Sequence, residues 1–178
     1  MVFPDKSNQL FLSFFIICLF IKTQKKYFYG YKLHNVCSPA GVIQSLDLPR
    51  ASVQEVHYLK DVEELFSNCL IIGDKGYISR QQQINLFETA SIELEVPLRS
   101  NHKDQKPTMW ILKKVRKRIE TVYSKLCDQF MMQRNYAKFF TGFKSRVLAK
   151  VTGLTVLQFL NKFIYNKPMR RVQHTLAD

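Results

Sequence analysis

The feature that most constrains the fold is a short apolar run, Cys-Leu-Ile-Ile at residues 69–72, which ends at Gly73 and Asp74. A continuous apolar run of this length, closed by turn residues, is typical of a strand that is buried on both faces. Strands of that kind occur where helices cover both sides of a sheet. The run therefore predicts an α/β domain, with Asp74 just beyond the carboxyl end of a central strand.

Patterns on either side of this run predict the other elements. Turn residues at 38–41 separate residues 27–36 from residues 42–48, which predicts a β-hairpin. Capping-box patterns predict helices over about 53–66 and 79–88, and residues 92–98 predict another strand. Apolar residues spaced three and four apart predict long amphipathic helices over 108–131 and 142–164, after a polar loop at 99–107.

Charge is distributed very unevenly along the chain, which has 178 residues and a formal net charge of +13. Residues 1–98 contain 9 Lys/Arg and 10 Asp/Glu, whereas residues 99–178 contain 18 and 4. A field of one sign in one part of a chain attracts polyanions, so DNA or RNA is the expected partner, and an anionic membrane is the weaker alternative. The four cysteines form no paired motif and indicate reduced thiols in a cytoplasmic protein.

The N-terminal region contains a twelve-residue apolar run at 10–21. This length is short of the roughly 20 residues that span a bilayer, and the positive charges follow the run, unlike those of a signal peptide. A buried strand or helix, foreign sequence joined to a truncated gene, and a membrane anchor remain open, with the anchor least favoured.

Two carboxylates are candidates for chemistry. Asp74 follows a predicted buried strand, where ligand sites of α/β sheets occur, although it could simply cap a turn. Glu120 lies among the basic residues of a predicted helix and could simply pair with Arg116 one turn earlier. If the two meet in space, they provide the oxygen ligands that Mg²⁺ prefers, and two such ions can drive phosphodiester displacement. The surrounding cations would then bind DNA phosphates; they are Lys113, Lys114, Arg116, Lys117 and Arg118.

Four stretches occur in an order that carries a family resemblance: YFYGYKLH at 27–34, GDKGY at 73–77, RKRIET at 116–121 and NYAK at 135–138. Together they resemble transposases of the insertion-sequence 982 family, within the DDE superfamily, from about residue 27 to the C-terminus. The resemblance implies a ribonuclease-H-like mixed sheet flanked by helices. It also implies metal-dependent cleavage and strand transfer of DNA at the ends of an insertion sequence, by a protein that forms a homo-oligomer when intact.

The same resemblance implies roles for individual residues. Asp74 matches the second catalytic aspartate and Glu120 the catalytic glutamate, and both would hold Mg²⁺ or Mn²⁺ in a two-ion site. Arg116 resembles the arginine that often precedes that glutamate in related transposases, and it would face the scissile phosphate.

The chain departs from the family pattern before residue 27. The family's first catalytic aspartate lies on a strand in that region, and the only acidic residue here, Asp5, does not match its motif. We therefore expect the first strand to be missing or replaced. The expected divisions are a non-homologous apolar segment at 1–26, a partial catalytic domain at 27–166 and a basic tail at 167–178. With two of three carboxylates, the chain should have little or no enzymatic activity.

Three functional hypotheses follow: a defective DNA transposase, a DNA-binding transposase remnant without catalysis, and a small membrane-associated basic protein. Among residues without a catalytic role, His34 is expected to be structural or solvated rather than a ligand. Tyr123 and Tyr136 are expected to pack in the core rather than to stack on unpaired bases.

Overall fold

The computed structural model describes residues 11–18, 30–96 and 110–172, with side chains over 30–96 and 117–172. The strands in these residues are β1 Phe11–Cys18, β2 Lys32–Cys37, β3 Ile43–Asp47, β4 Cys69–Ile72 and β5 Ile92–Glu95. They form one sheet in the order β3-β2-β1-β4-β5. β2 is antiparallel to both β1 and β3, whereas β4 is parallel to both β1 and β5. The sheet is mixed, and β1 is its central strand.

Helices cover both faces of the sheet. The helices are α1 Tyr58–Leu65, α2 Arg80–Ala90, α3 Trp110–Asp128 and α4 Phe140–Phe159, and a π-helical turn, Leu160–Ile164, continues α4. One core joins α1 and α2 to the sheet through Leu59, Leu86, Ile71 and Ile92. The other joins α3 and α4 to the opposite face through Leu33, Ile119, Leu126 and Leu154. The α/β class predicted from the sequence is confirmed.

The central position of β1 answers the question that the N-terminal sequence left open. Residues 11–18 form a strand paired on both sides, so the first strand of the sheet is not missing, and its replacement by a non-homologous segment stays a prediction. It is built from the apolar run for which a buried strand, a helix and an anchor were alternatives. Pairing with β1 also protects the edge of β2 that would otherwise expose unpaired backbone groups.

Most other elements match their predicted positions, with differences at their ends. β4 has the predicted bounds, and β2 and β3 form the predicted hairpin. The helix expected from residue 53 instead begins as a 3₁₀ turn, Glu55–His57. The predicted capping box of Ser52 and Glu55 is wrong, because the N-cap is Gln54 and it supplies no side-chain hydrogen bond. At α2 the cap is confirmed, because the Ser79 hydroxyl accepts a hydrogen bond from the Gln82 amide at 3.5 Å.

The two long helices also differ from their predicted ends. α3 ends at Asp128 rather than residue 131, because Met131 adopts a left-handed φ of 49° and the Met132 amide donates to the Leu126 carbonyl. α4 begins at Phe140, two residues earlier than predicted. The predicted loop at 99–107 lies outside the described residues.

Within the described residues, one helical stretch, Phe140–Ile164, is long and apolar enough to cross a membrane by length and composition alone. Its residues Val147, Val151 and Leu154 belong to the core that covers the sheet. A core helix of a globular protein passes the same test, so the stretch is weak evidence for a membrane span.

Candidate functional site

Asp74 stands at the carboxyl end of a fully buried strand. Gly73 continues β4 with a backbone hydrogen bond to the Glu95 carbonyl, and Asp74 then precedes a 3₁₀ turn, Lys75–Tyr77. The Asp74 carbonyl accepts a 3.0 Å hydrogen bond from the Tyr77 amide. The half-buried Asp74 is therefore held between a rigid strand and a closed turn, as the sequence predicts.

Tyr77, the last residue of the turn after Asp74, holds that turn against the sheet. Its side chain is fully buried, and its hydroxyl lies 2.5 Å from Nδ1 of His34 on β2. Burial lowers the pKa of His34, with opposing effects from Asp47 and Glu55, so the imidazole is held neutral. His34 is therefore structural, one of the two roles expected for it, and no local pattern predicts its contact with Tyr77.

Glu120 lies on an exposed position of α3, beside buried residues that fix the helix on the sheet. Ile119 is fully buried, and the buried Tyr123 hydroxyl donates a 2.8 Å hydrogen bond to Oδ1 of Asn35 on β2. Burial raises the pKa of Tyr123 well above its ordinary value, so the phenol remains a donor. The predicted packing role of Tyr123 is confirmed. The prediction for Tyr136 is wrong, because its side chain is 82% exposed.

Strand register relates these two carboxylates. Ser13 of β1 is paired with both Ile72 and Cys37, and Phe15 of β1 is paired with Asn35. Asp74 follows Ile72 by two residues, which brings its backbone to the level of Phe15 and Asn35. Tyr123 contacts Asn35, and Glu120 precedes Tyr123 by less than one turn of α3. The Asp74 backbone and the Tyr123 hydroxyl are therefore both related to Asn35, and Glu120 stands within one helical turn of Tyr123.

The rotation of α3 about its own axis determines which side of the helix carries Glu120. Val122 faces the turn between β2 and β3, since a Cβ on Gly41 would stand 3.3 Å from its Cγ2 atom. Successive helical residues are separated by about 100°, so Glu120 lies about 160° around the helix from Val122. Glu120 thus lies on the flank of α3 that faces away from the turn between β2 and β3.

The central strand β1 supplies no carboxylate to this site. β1 has the sequence FLSFFIIC, which contains no acidic residue, and Asp5 lies outside the described residues. The described part of the chain also contains no group of three or more His, Cys, Asp or Glu that could hold a metal ion. The oxygen donors of Asp74 and Glu120 suit Mg²⁺ or Mn²⁺ in kind, but the described residues do not complete a ligand set.

The basic residues predicted to bind DNA lie on α3 in different surroundings. Lys117 is exposed, whereas Arg118 is half-buried and lines a cavity. Lys113, Lys114 and Arg116 belong to the helix, but their side chains lie outside the described part. Arg116 lies on α3 four residues before Glu120, and its predicted role stays a prediction.

Comparison with known proteins bears on this arrangement. The family model described as "Transposase DDE domain" matches residues 20–156, which is more than half of the chain and includes both Asp74 and Glu120. The match begins after β1, the strand that lacks a carboxylate. A comparison with curated proteins found no match. The extent of the family match shows that the chain belongs to the family of transposases with a DDE domain.

Proposed function

We propose that this chain is the catalytic domain of a DNA transposase with a ribonuclease-H-like arrangement, in which Asp74 and Glu120 are two of the carboxylates that hold divalent metal ions. Family membership implies DNA transposition, and DDE transposases generally use divalent metals. The arrangement is supported by a mixed sheet in which β1 is antiparallel to β2 on one side and parallel to β4 on the other. In open α/β sheets, ligands bind beyond the carboxyl ends of strands where the strand order reverses, and Asp74 follows β4 at such a point.

The proposal is supported by two observations: strand register relates the Asp74 backbone to Asn35, and Tyr123, within one turn of Glu120, donates a hydrogen bond to Asn35. Asp74 comes from the end of a strand and Glu120 from a helix that packs across the neighbouring strand, so two rigid elements define their separation. Bound metal ions would activate the attacking oxygen and stabilise the leaving oxygen of a phosphodiester. The residues of the chain would supply oxygen ligands, while Arg116 and Lys117 would neutralise nearby phosphates.

The proposal includes a defect in this chain. Strand register places Phe15 of β1 beside Asp74, and an acidic residue at position 15 would supply a third metal ligand. Two carboxylates hold a metal ion less tightly and less accurately than three, and a small misplacement costs about 100-fold in rate. We therefore expect the chain to bind DNA and to cut it poorly or not at all.

A restored carboxylate tests the site directly. Phe15→Asp is compared with Phe14→Asp, which adds the same charge one residue away and on the opposite face of the strand. The measured quantity is nicking of a supercoiled plasmid in Mg²⁺ or Mn²⁺. Phe15→Asp should create nicking that is lost again when Glu120→Gln is added, whereas Phe14→Asp should create none. Equal nicking by both variants would contradict the assignment.

A charge introduced into a central strand can prevent folding, so a second measurement uses the unaltered strand. Binding of Mn²⁺ is titrated in the chain itself and in Asp74→Asn and Glu120→Gln, with Glu88→Gln, an exposed residue of α2, as the control. Both site variants should weaken binding and the control should not. Unchanged titrations in both site variants would remove Asp74 and Glu120 from the metal site.

The second candidate function is DNA binding without catalysis, which the basic excess after residue 98 favours. The same plasmid assay separates the two: DNA that is bound but never cut, even by a folded Phe15→Asp variant, identifies a non-catalytic remnant. A cytoplasmic location and a homo-oligomeric state in the intact protein are part of the first proposal. The pairing of residues 11–18 in the sheet disfavours their use as a membrane anchor.

A further inference from the structure

A basic cavity lies on the flank of α3 that faces away from Glu120. It has a volume of about 260 Å³ and is bounded by α3, the end of α4, the turn between β2 and β3, and the segment after the π-helical turn. Its charged lining residues are Arg118, Lys125, Arg170 and Arg171. No acidic residue lines it, and none of these four side chains forms an ion pair with any residue that the structure describes.

The cavity is built by contacts between distant parts of the chain. Lys125 donates a hydrogen bond from Nζ to the Arg170 carbonyl, which fixes the C-terminal segment against α3. Val172, two residues later, is buried in the core between α3 and α4. The two arginines of this segment are therefore positioned by folding, although the sequence predicts only a basic tail there.

The cations in the cavity repel one another. Burial lowers the pKa of Lys125, and the charges of Arg118 and Arg170 lower it further. Concentrated charge of one sign in a partly desolvated concavity favours an anion that would relieve the repulsion.

A buried polar side chain also opens onto this cavity. Gln158 is 3% exposed and donates from Nε2 to the Gly41 carbonyl at 2.7 Å, but its Oε1 atom has no hydrogen-bond partner among the described residues. Buried polar groups of native proteins are normally paired, with protein groups, water or a ligand. The oxygen can accept a hydrogen bond from the hydration water of a bound anion or from a base amino group.

We propose that this cavity binds a phosphate group of a DNA strand at a second point of contact, separate from the carboxylate pair. The inference rests on the proposed function in taking DNA as the substrate. Arg118 and Glu120 are two residues apart, so they are separated by about 160° across the solvent side of α3, where the exposed Lys117 lies between them. A strand held at the cavity and crossing Lys117 is directed toward the carboxylates.

The test removes the two exposed arginines of the cavity. Arg170→Gln/Arg171→Gln is compared with Lys144→Gln/Arg146→Gln, which removes equal charge from exposed positions of α4 that do not line the cavity. Binding of a labelled duplex is measured over a range of salt concentrations in EDTA, so that metal-dependent chemistry plays no part. The cavity variant should bind about tenfold more weakly, and the slope of log K against log salt should fall by about 1, more than in the control.

Equal losses in both double variants would overturn the proposal, because they would indicate a diffuse positive surface. Competition by inorganic phosphate distinguishes a site for a DNA phosphate from a site for free phosphate. The phosphate should compete with the duplex in the unaltered chain more strongly than in the cavity variant, and its undiminished binding to a chain saturated with DNA would identify a site for free phosphate instead. Failure of all DNA binding would reject the proposed function itself, whereas equal losses would reject only the cavity.

Discussion

The Tyr123 hydroxyl donates a 2.8 Å hydrogen bond to Oδ1 of Asn35, and both side chains are buried between α3 and the sheet. The two residues are 88 positions apart in the sequence. This bond holds α3 against β2 within one helical turn of Glu120.

Tyr123→Phe should lower the free energy of unfolding by about 1–3 kcal/mol, because it leaves the buried Oδ1 of Asn35 without that donor. Chemical denaturation measures the change. Tyr136→Phe is the control, since Tyr136 is largely exposed, and should change stability by less than about 0.5 kcal/mol. Adding Asn35→Leu to Tyr123→Phe should recover part of the loss by removing both polar partners. Similar losses in Tyr123→Phe and Tyr136→Phe would contradict the role of the hydrogen bond.

Sequence patterns predicted the elements of this fold better than the contacts between them. The bounds of β4 could be read because a four-residue apolar run beside Gly73 is a local signal. The apolar run that forms β1 could not be assigned, because periodicity does not distinguish a buried strand from a buried helix. Its place in the sheet depends on pairing with β2 and β4, which lie later in the chain.

The candidate site was likewise predictable in its residue types but not in the contacts that position them. Asp74 and Glu120 could be selected from residue type and family resemblance, but the contacts that position their elements, strand register and the Tyr123 bond to Asn35, could not be predicted. The basic cavity was not predicted because Arg170 meets Lys125 across 45 residues. A local sequence pattern carries no information on such a contact.

Gly73→Ala should destabilise the chain by about 1–3 kcal/mol, because an added Cβ would stand 2.9 Å from Cγ1 of Val96, a stiff side chain. Gly142→Ala provides a control of the same chemistry. Its nearest neighbour would be at an ordinary 3.6 Å, and alanine in a helix should stabilise by about 0.5–1 kcal/mol. Thermal unfolding compares the two, and equal shifts in the same direction would show that the space around Gly73 is not limiting.

Stability should fall as the pH falls below about 6.5, the ordinary pKa of histidine, because the unfolded chain then takes up a proton that folded His34 resists. Above that pH both states hold His34 neutral and the effect is absent. The loss grows by up to about 1.4 kcal/mol per pH unit until the lowered pKa of the folded state is reached. Chemical denaturation at pH 7.5 and at pH 5.5 measures this loss of stability.

His34→Gln removes the titrating group and keeps an amide that can bond the Tyr77 hydroxyl, so it should flatten this part of the pH profile. His57→Gln, the same substitution at an exposed position, is the matched control, and the profile of His34→Gln should be the flatter of the two. Identical profiles for His34→Gln and the unaltered chain would show that other groups produce the pH dependence.

The buried face of α4 changes from apolar to polar toward its end. Val147, Val151 and Leu154 are followed at the same spacing by Gln158 and Asn161, and Asn161 is fully buried in the π-helical turn. Neither polar atom of the Asn161 side chain has a hydrogen-bond partner among the described residues.

Asn161→Leu should therefore raise the free energy of unfolding by about 1–2 kcal/mol, because it replaces buried unpaired polar atoms with apolar atoms of similar volume. Gln158→Leu should raise it less or lower it, since that change also removes the bond to the Gly41 carbonyl. Chemical denaturation of both variants decides the point, and a loss of stability in Asn161→Leu as large as in Gln158→Leu would show that Asn161 has a partner that stabilises the folded chain.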